Sequence, residues 1–433
     1  MDSMNSSNFP DVNLNLNVRG LPQSATLVIN EKSDELRRQG KKVCKLGLGQ
    51  SPFPVPQSVV EELKINAHQK DYLPVKGLRK LREAVADYHC RIDRICYYPD
   101  DVLIGPGSKE LMFLLQYVYY GDLVIPTPSW VSYSPQAQII GRQVRWLCTS
   151  KKNNWLFTAE ELEAHCKNDY LKPRIVILNY PSNPVGATYT EDQLKDIADV
   201  ARKHKIILLS DEIYGELHHK GEHISIAKYY EEGTIISSGL SKWCGAGGWS
   251  LGTFTFPESL RWLLDAIAVM ASETFTSTSA PIQYAAVRAF QGGSDIENYL
   301  WRSRWILDKL GNKIAKQLLK VGIDTPTPEG GFYLFLDFCN FKEKLRKKNI
   351  IDSTTLCSRL FEETGVAILP GKVFGMKPEE LTARLAYVDF DGVAAMDAAL
   401  KINFIDEIDD TFLKNYCQNV FKAISLITNW VKN

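Results

Sequence analysis

The middle of the chain repeats short apolar runs that end in turn residues: DLVIPTP (122–128), RIVILNYPSNP (174–184), KIILLSDEIY (205–214) and GTIISSGLSK (233–242). Their apolar residues are consecutive rather than alternate, the pattern of strands buried on both faces. Amphipathic stretches such as TEDQLKDIADVARKH (190–204) lie between some of them and read as helices. Buried strands joined by helices predict an α/β fold with a mostly parallel central sheet, whose ligands gather at the carboxyl ends of the strands. Beyond residue 300 the pattern changes. YLWRSRWILDKLGNKIAKQLLKVG predicts a long amphipathic helix, GGFYLFLDF and ARLAYVDF predict strands, and DDTFLKNYCQNVFKAISLITNWV predicts one closing helix. With a prior of roughly 100–200 residues per domain, the chain divides into several units. These are a flexible arm (1–20), the N-terminal part of a small α+β domain (21–60), a large domain (61–300) and the rest of the small domain (301–433).

Charge and composition narrow the partners. Lys plus Arg and Asp plus Glu both number 51, so no net field draws nucleic acid or an anionic membrane, and a small-molecule ligand is expected. The most apolar stretch, LMFLLQYVYYGDLVIP, reads as core helix, and Gln116, Gly121 and Asp122 break it before a membrane span is reached. The first twenty residues lack a secretory pattern, so the glycosylation triplet at Asn5 has no consequence and a cytoplasmic protein is expected. The nine cysteines are an odd number, the Cys90–Cys96 gap fits no zinc motif, and a reducing compartment is the simpler reading. Three histidines in ELHHKGEH (216–223) are expected in a polar loop, with no metal.

Candidate chemistry follows the strands. Lys242 stands a few residues after an apolar run, where an amine could be desolvated and its pKa lowered. Asp211 and Glu212 end a run too apolar for the surface, and a carboxylate there must pair with a cation or become neutral. Gly107, Ser108 and Lys109 open a helix whose N-terminus would seat a phosphate. Taken singly, these have ordinary explanations: an exposed lysine, a helix cap, a turn. As a set with the Asn-Pro-x-Gly turn of YPSNPVG they are far more specific.

With GLGQSPFPVP, YLPVKGLRKLREAVADY, PTPSWVSY, SDEIYGE, SKWCGAGGWSLG, GGFYLFLDF, GVAILPGKVFG and ARLAYVDF in this order, the chain resembles the class I aminotransferases. These are aspartate aminotransferase-like enzymes of pyridoxal phosphate (PLP) fold type I. The resemblance spans about residues 21–400 and implies transfer of an amino group from an L-amino acid to a 2-oxo acid by a ping-pong cycle through a Lys242 aldimine. It implies that Asp211 pairs with the pyridinium nitrogen, that Tyr214 and Asn183 bond the phenolic oxygen, and that Trp130 stacks on the ring. Gly107, Ser108, Lys109 and Ser241 would surround the phosphate, and Tyr72 would reach it from the other subunit of a homodimer. Arg384 and Gly49, with Asn183 and Trp130 nearby, would receive the substrate α-carboxylate. Lys109, with the loop around Ser24 and Thr26, resembles a subgroup's device for an acidic side chain, which suggests aspartate or glutamate within a broad range. One position departs from the pattern. Where the family has a phosphate-binding arginine this chain has Ser250, and many relatives have a serine at the place of Gly239. Besides an active aminotransferase, a PLP-dependent lyase or synthase and a non-catalytic homologue with an impaired phosphate site remain open on sequence alone.

Overall fold

The computed structural model of the protein describes residues 13–169, 172–402 and 408–433. The first twelve residues of the expected arm, with Asn5, lie outside the described residues.

Among the described residues, twelve strands form three sheets. The largest is built from β2 (Val102–Gly105), β3 (Asp122–Thr127), β4 (Val144–Cys148), β5 (Arg174–Asn179), β6 (Ile207–Asp211), β7 (Thr234–Gly239) and β8 (Gly252–Thr255), in the order β2-β8-β7-β6-β5-β3-β4. The four expected runs supply β3, β5, β6 and β7, which pair parallel to their neighbours within this group, and β4 joins β3 in parallel. Between β7 and β2 lies β8, antiparallel to both, so the sheet is mostly parallel.

Local sequence explains how the helices begin. Thr190 starts the helix Glu191–Lys203 with a capping box, in which Gln193 N–H donates to Thr190 Oγ1 (3.3 Å) and Thr190 N–H donates to Gln193 Oε1 (2.9 Å). Its Leu194, Ile197, Ala198 and Ala201 lie buried at helical spacing. The apolar stretch before β3 forms the core helix Ser108–Val118. Its first turn runs so close to β8 that a Cβ on Gly252 would lie 2.1 Å from the Ser108 nitrogen, so this position requires glycine.

The remaining sheets combine distant parts of the chain. β1 (Cys44–Lys45) pairs in parallel with β10 (Val366–Ala367), while β9 (Tyr333–Asp337), β12 (Thr382–Ala386) and β11 (Leu369–Pro370) form an antiparallel sheet around β12. The long helix Ser294–Lys320 presents Ile296, Leu300, Leu307, Leu310, Ile314 and Leu318 to the main core. The closing segment is two helices, Asp410–Tyr416 and Gln418–Lys432, rather than the single helix expected, because Cys417 leaves the helical conformation (φ −115°, ψ 28°). Cys90 and Cys96 are joined as a disulfide, a pairing that their spacing does not suggest. Among the described residues no helix is long and apolar enough to cross a membrane.

Candidate active site

The parallel register of β5, β6 and β7 brings three polar residues side by side at the carboxyl edge of the sheet. Asn179 pairs with Asp211, and Asp211 with Ser237. The Asn179 amide donates to the Asp211 carbonyl (2.8 Å) and its oxygen accepts the Asn183 N–H (2.8 Å), fixing the turn that carries Asn183. The Asp211 side chain is 4% exposed, and Tyr133 O–H donates to its Oδ2 at 2.5 Å. Burial pushes its pKa up to about 6, against the opposing pull of Tyr133, the Ile213 N–H and Lys242.

Lys242 follows β7, half-buried, and its ammonium donates to the Gly49 carbonyl at 2.8 Å. Desolvation, helped by the positive charge of Arg384, lowers its pKa to about 8. Lys242 and Asp211 feel one another's charge, yet no ion pair joins them among the described residues. Tyr214 lies between the polar groups, with its ring centre 5.8 Å from the Lys242 nitrogen and its hydroxyl 2.6 Å from that of Tyr333.

Arg384 enters from β12. It is 1% exposed, and its guanidinium donates to Asn183 Oδ1 (3.1 Å) and to the Gly47 carbonyl, while Nε has no partner. The Tyr333 and Phe374 rings flank it at 4.8 and 5.0 Å. Among the described residues no carboxylate pairs with it. A buried cation without a counter-ion is costly, and such a site is made for an anionic ligand.

The helix Ser108–Val118 begins at Gly107 (φ 91°), where nothing lies within 4 Å of an added Cβ. The first N–H groups of a helix lack full intrahelical pairing, and a helix start of this kind can seat an anion. Ser250 stands exposed at a left-handed position (φ 49°) after the short helix Gly247–Trp249, and Ser241 is half-buried. The buried Ser237 hydroxyl has no partner. Lys109 lies over the Trp130 ring at 5.2 Å and, with Ser24, lines a mainly apolar cavity of about 580 Å³. Trp130 in turn meets Tyr133 edge-on at 5.2 Å. Tyr72 is 88% exposed and makes no hydrogen bond to these residues within the chain.

The family model for aminotransferases of class I and II matches residues 41–389. The chain belongs to this family. The aspartate aminotransferase of Bacillus sp. (strain YM-2) is 31% identical over 379 residues, covering 86% of this chain and 93% of that protein. The asparagine--oxo-acid transaminase of Streptococcus mutans is 31% identical over 386 residues, covering 86% and 94%. Among solved structures, an aspartate aminotransferase from Thermus thermophilus with maleate aligns with a TM-score of 0.81 at 25% identity, over 97% of this chain and all of that one. The protein is therefore a fold type I, PLP-dependent aminotransferase, which moves an amino group from an amino acid to a 2-oxo acid by the family's ping-pong cycle.

The donor set of this aminotransferase suits its cofactor. It offers a partly desolvated amine for an aldehyde, a buried carboxylate within electrostatic reach of that amine for a ring nitrogen, and a helix start for a phosphate. Sequence reasoning missed Tyr133 and Tyr333, although both stand in the motifs PTPSWVSY and GGFYLFLDF; apolar patterning gives no sign of where a buried phenol's hydroxyl points. It also misplaced the histidines. His218, His219 and His223 are packed inside rather than in a polar loop. His223 bonds Glu212 Oε2 at 2.9 Å, and Ser210 and Ser225 donate to Oε1 at 2.6 and 2.7 Å. Burial opposes the Glu212 charge, but these bonds outweigh it and its pKa falls, so the residue beside Asp211 is a buried anchor for the turn.

Proposed function

We propose that Lys242, Asp211 and Arg384 form the working centre of a PLP-dependent aminotransferase that prefers acidic amino acids. The supporting observation is the buried, counter-ion-free Arg384 beside a partly desolvated Lys242 and opposite a buried Asp211. PLP, when bound, supplies an electron sink for the pair released as the substrate Cα proton leaves. Asp211 holds the proton on the ring nitrogen that makes the ring such a sink. Lys242 would hold the cofactor through its aldehyde, and its amine, once free, would serve as the base that moves the substrate Cα proton. A pKa near 8 keeps part of that amine neutral at physiological pH.

Asn183 has its oxygen engaged by Arg384, so its NH₂ remains to donate to the phenolic oxygen beside Tyr214. Trp130 covers the ring. Arg384 clamps the α-carboxylate bidentately, next to the Gly49 backbone. Gly107, Ser108, Lys109, Ser241 and Ser250 surround the phosphate, and Tyr72 completes the cup from the second subunit of a homodimer, in keeping with its exposure on the isolated chain.

Ser250 leaves that cup without the usual arginine. A charge-assisted bond to phosphate contributes roughly 1.5–3 kcal/mol, about ten- to a hundredfold in affinity. Ser250→Arg should therefore slow loss of PLP on dialysis by a factor in that range; unchanged retention would mean other groups already hold the phosphate fully.

Substrate preference rests on Lys109 at the mouth and on the maleate bound by the Thermus aspartate aminotransferase, itself a dicarboxylate. Presented with a panel of amino acids, the PLP-loaded protein should be bleached fastest by aspartate and glutamate, with release of the matching 2-oxo acid. Lys109→Met should lower kcat/KM for aspartate about tenfold while sparing apolar amino acids. Equal rates across the panel would remove the acidic preference, and bleaching without oxo-acid release would point to a lyase.

A further inference from the structure

Tyr333 touches every part of the substrate end of the site without having been assigned a role in it. Its hydroxyl is 2.6 Å from that of Tyr214, its ring lies under the Arg384 guanidinium at 4.8 Å, and a Cβ on Gly49 would lie 1.9 Å from its oxygen. Both tyrosines are buried, at 1% and 3% exposure. The two rings meet nearly at right angles (77°) with centres 5.5 Å apart, so the hydroxyl contact is held by packing on both sides.

Either hydroxyl can donate in this contact, and a count of protons shows what is left over. Burial raises both phenol pKa values, so each hydroxyl keeps its proton. One proton makes the bond between them. The second has no acceptor among the described residues, and a buried donor left unmade costs about 1–3 kcal/mol. The charged groups that face the pair are Arg384, Lys242 and Asp211. Neither cation can accept a proton from a phenol while charged, and Asp211 accepts from Tyr133 instead. A ligand bound between these groups would supply that acceptor.

We propose that Tyr333 is a positioning residue of the cofactor site: its hydroxyl donates to the Tyr214 hydroxyl and so commits the Tyr214 proton to the phenolic oxygen of PLP. The inference rests on the reading of Tyr214 given above. Successive hydrogen bonds polarise one another, so the relay strengthens the donor that stabilises an anionic phenolic oxygen.

The test is a pH titration of the visible band of the PLP-loaded protein, together with Tyr214→Phe and Tyr333→Phe. Removing the direct donor should raise the midpoint by about one to two units. Tyr333→Phe should raise it in the same direction by about 0.2–0.5 unit, since the second bond adds about 10–30% to the first. Phenylalanine keeps the ring beneath Arg384, so KM for the amino acid should stay within about twofold. If Tyr214→Phe moves the midpoint and Tyr333→Phe does not, even with a lower melting temperature, the relay is wrong and Tyr333 only packs. If Tyr214→Phe leaves the midpoint unmoved, the reading of Tyr214 fails and the relay with it.

Discussion

Lys242→Ala should abolish steady-state transamination, with kcat down by at least about 10⁴-fold, the upper range for a single positioned acid–base group. The loss should not come from unfolding. Lys242 makes one hydrogen bond, to the Gly49 carbonyl, and its side chain is only half-buried. Arginine should not substitute: it keeps the charge but stays protonated, so it can neither attack an aldehyde nor shuttle a proton. The lowered pKa gives this prediction a pH signature. Between about 8 in the folded chain and 10.5 in the unfolded one, the unfolded state carries more protons at this amine. Stability of the cofactor-free protein should therefore gain from this group as pH rises through that window, and Lys242→Ala should lose that gain. Denaturant unfolding of the two proteins at both ends of the window measures it. PLP uptake by the parent should likewise accelerate as pH rises through about 8, where the amine becomes neutral.

Asp211→Asn should reduce kcat by about 10²- to 10³-fold, since truncating one partner of a buried charge pair costs about 2–5 kcal/mol. The change is nearly isosteric, and the Tyr133 O–H can still donate to the remaining oxygen, so the turn and the fold should survive. KM for the amino acid should change little, because Arg384, the proposed carboxylate clamp, stands on another sheet. A second readout follows from the raised pKa. Because burial outweighs the pull of Lys242 and its hydrogen bonds, folded Asp211 holds more protons than unfolded between about 3.8 and 6, so its contribution to stability falls as pH rises through that range. The asparagine variant should lack this dependence. Single-turnover kinetics with aspartate, in parent and variant, separates the chemical loss from any change in binding.

The sequence disclosed the chemistry better than its supports. β5, β6 and β7 were legible because doubly buried strands leave unbroken apolar runs, and their polar ends fall at the carboxyl edge by the logic of a parallel sheet. The antiparallel β8 was not. GTFT is four residues long, and nothing in its composition says that it inserts between β7 and β2. The break at Cys417 escaped for a related reason: apolar spacing continues through it, and periodicity records which residues face the core rather than whether the backbone stays helical. Partnerships across long sequence distances were likewise invisible. Tyr133 to Asp211, Tyr333 to Tyr214 and His223 to Glu212 depend on hydroxyl and imidazole direction inside a packed core, which polar–apolar patterning does not encode. Ser250 is the reverse case. The sequence exposed the missing arginine, and the structure adds that the serine stands exposed in a left-handed turn.

The covalent site of the cofactor tests the central claim most directly. Reduction of the PLP-loaded protein with borohydride, digestion and mass spectrometry should place one pyridoxyl group on the peptide containing Lys242. A pyridoxyl group on Lys109 or another lysine, or none on any peptide from a yellow preparation, would contradict it.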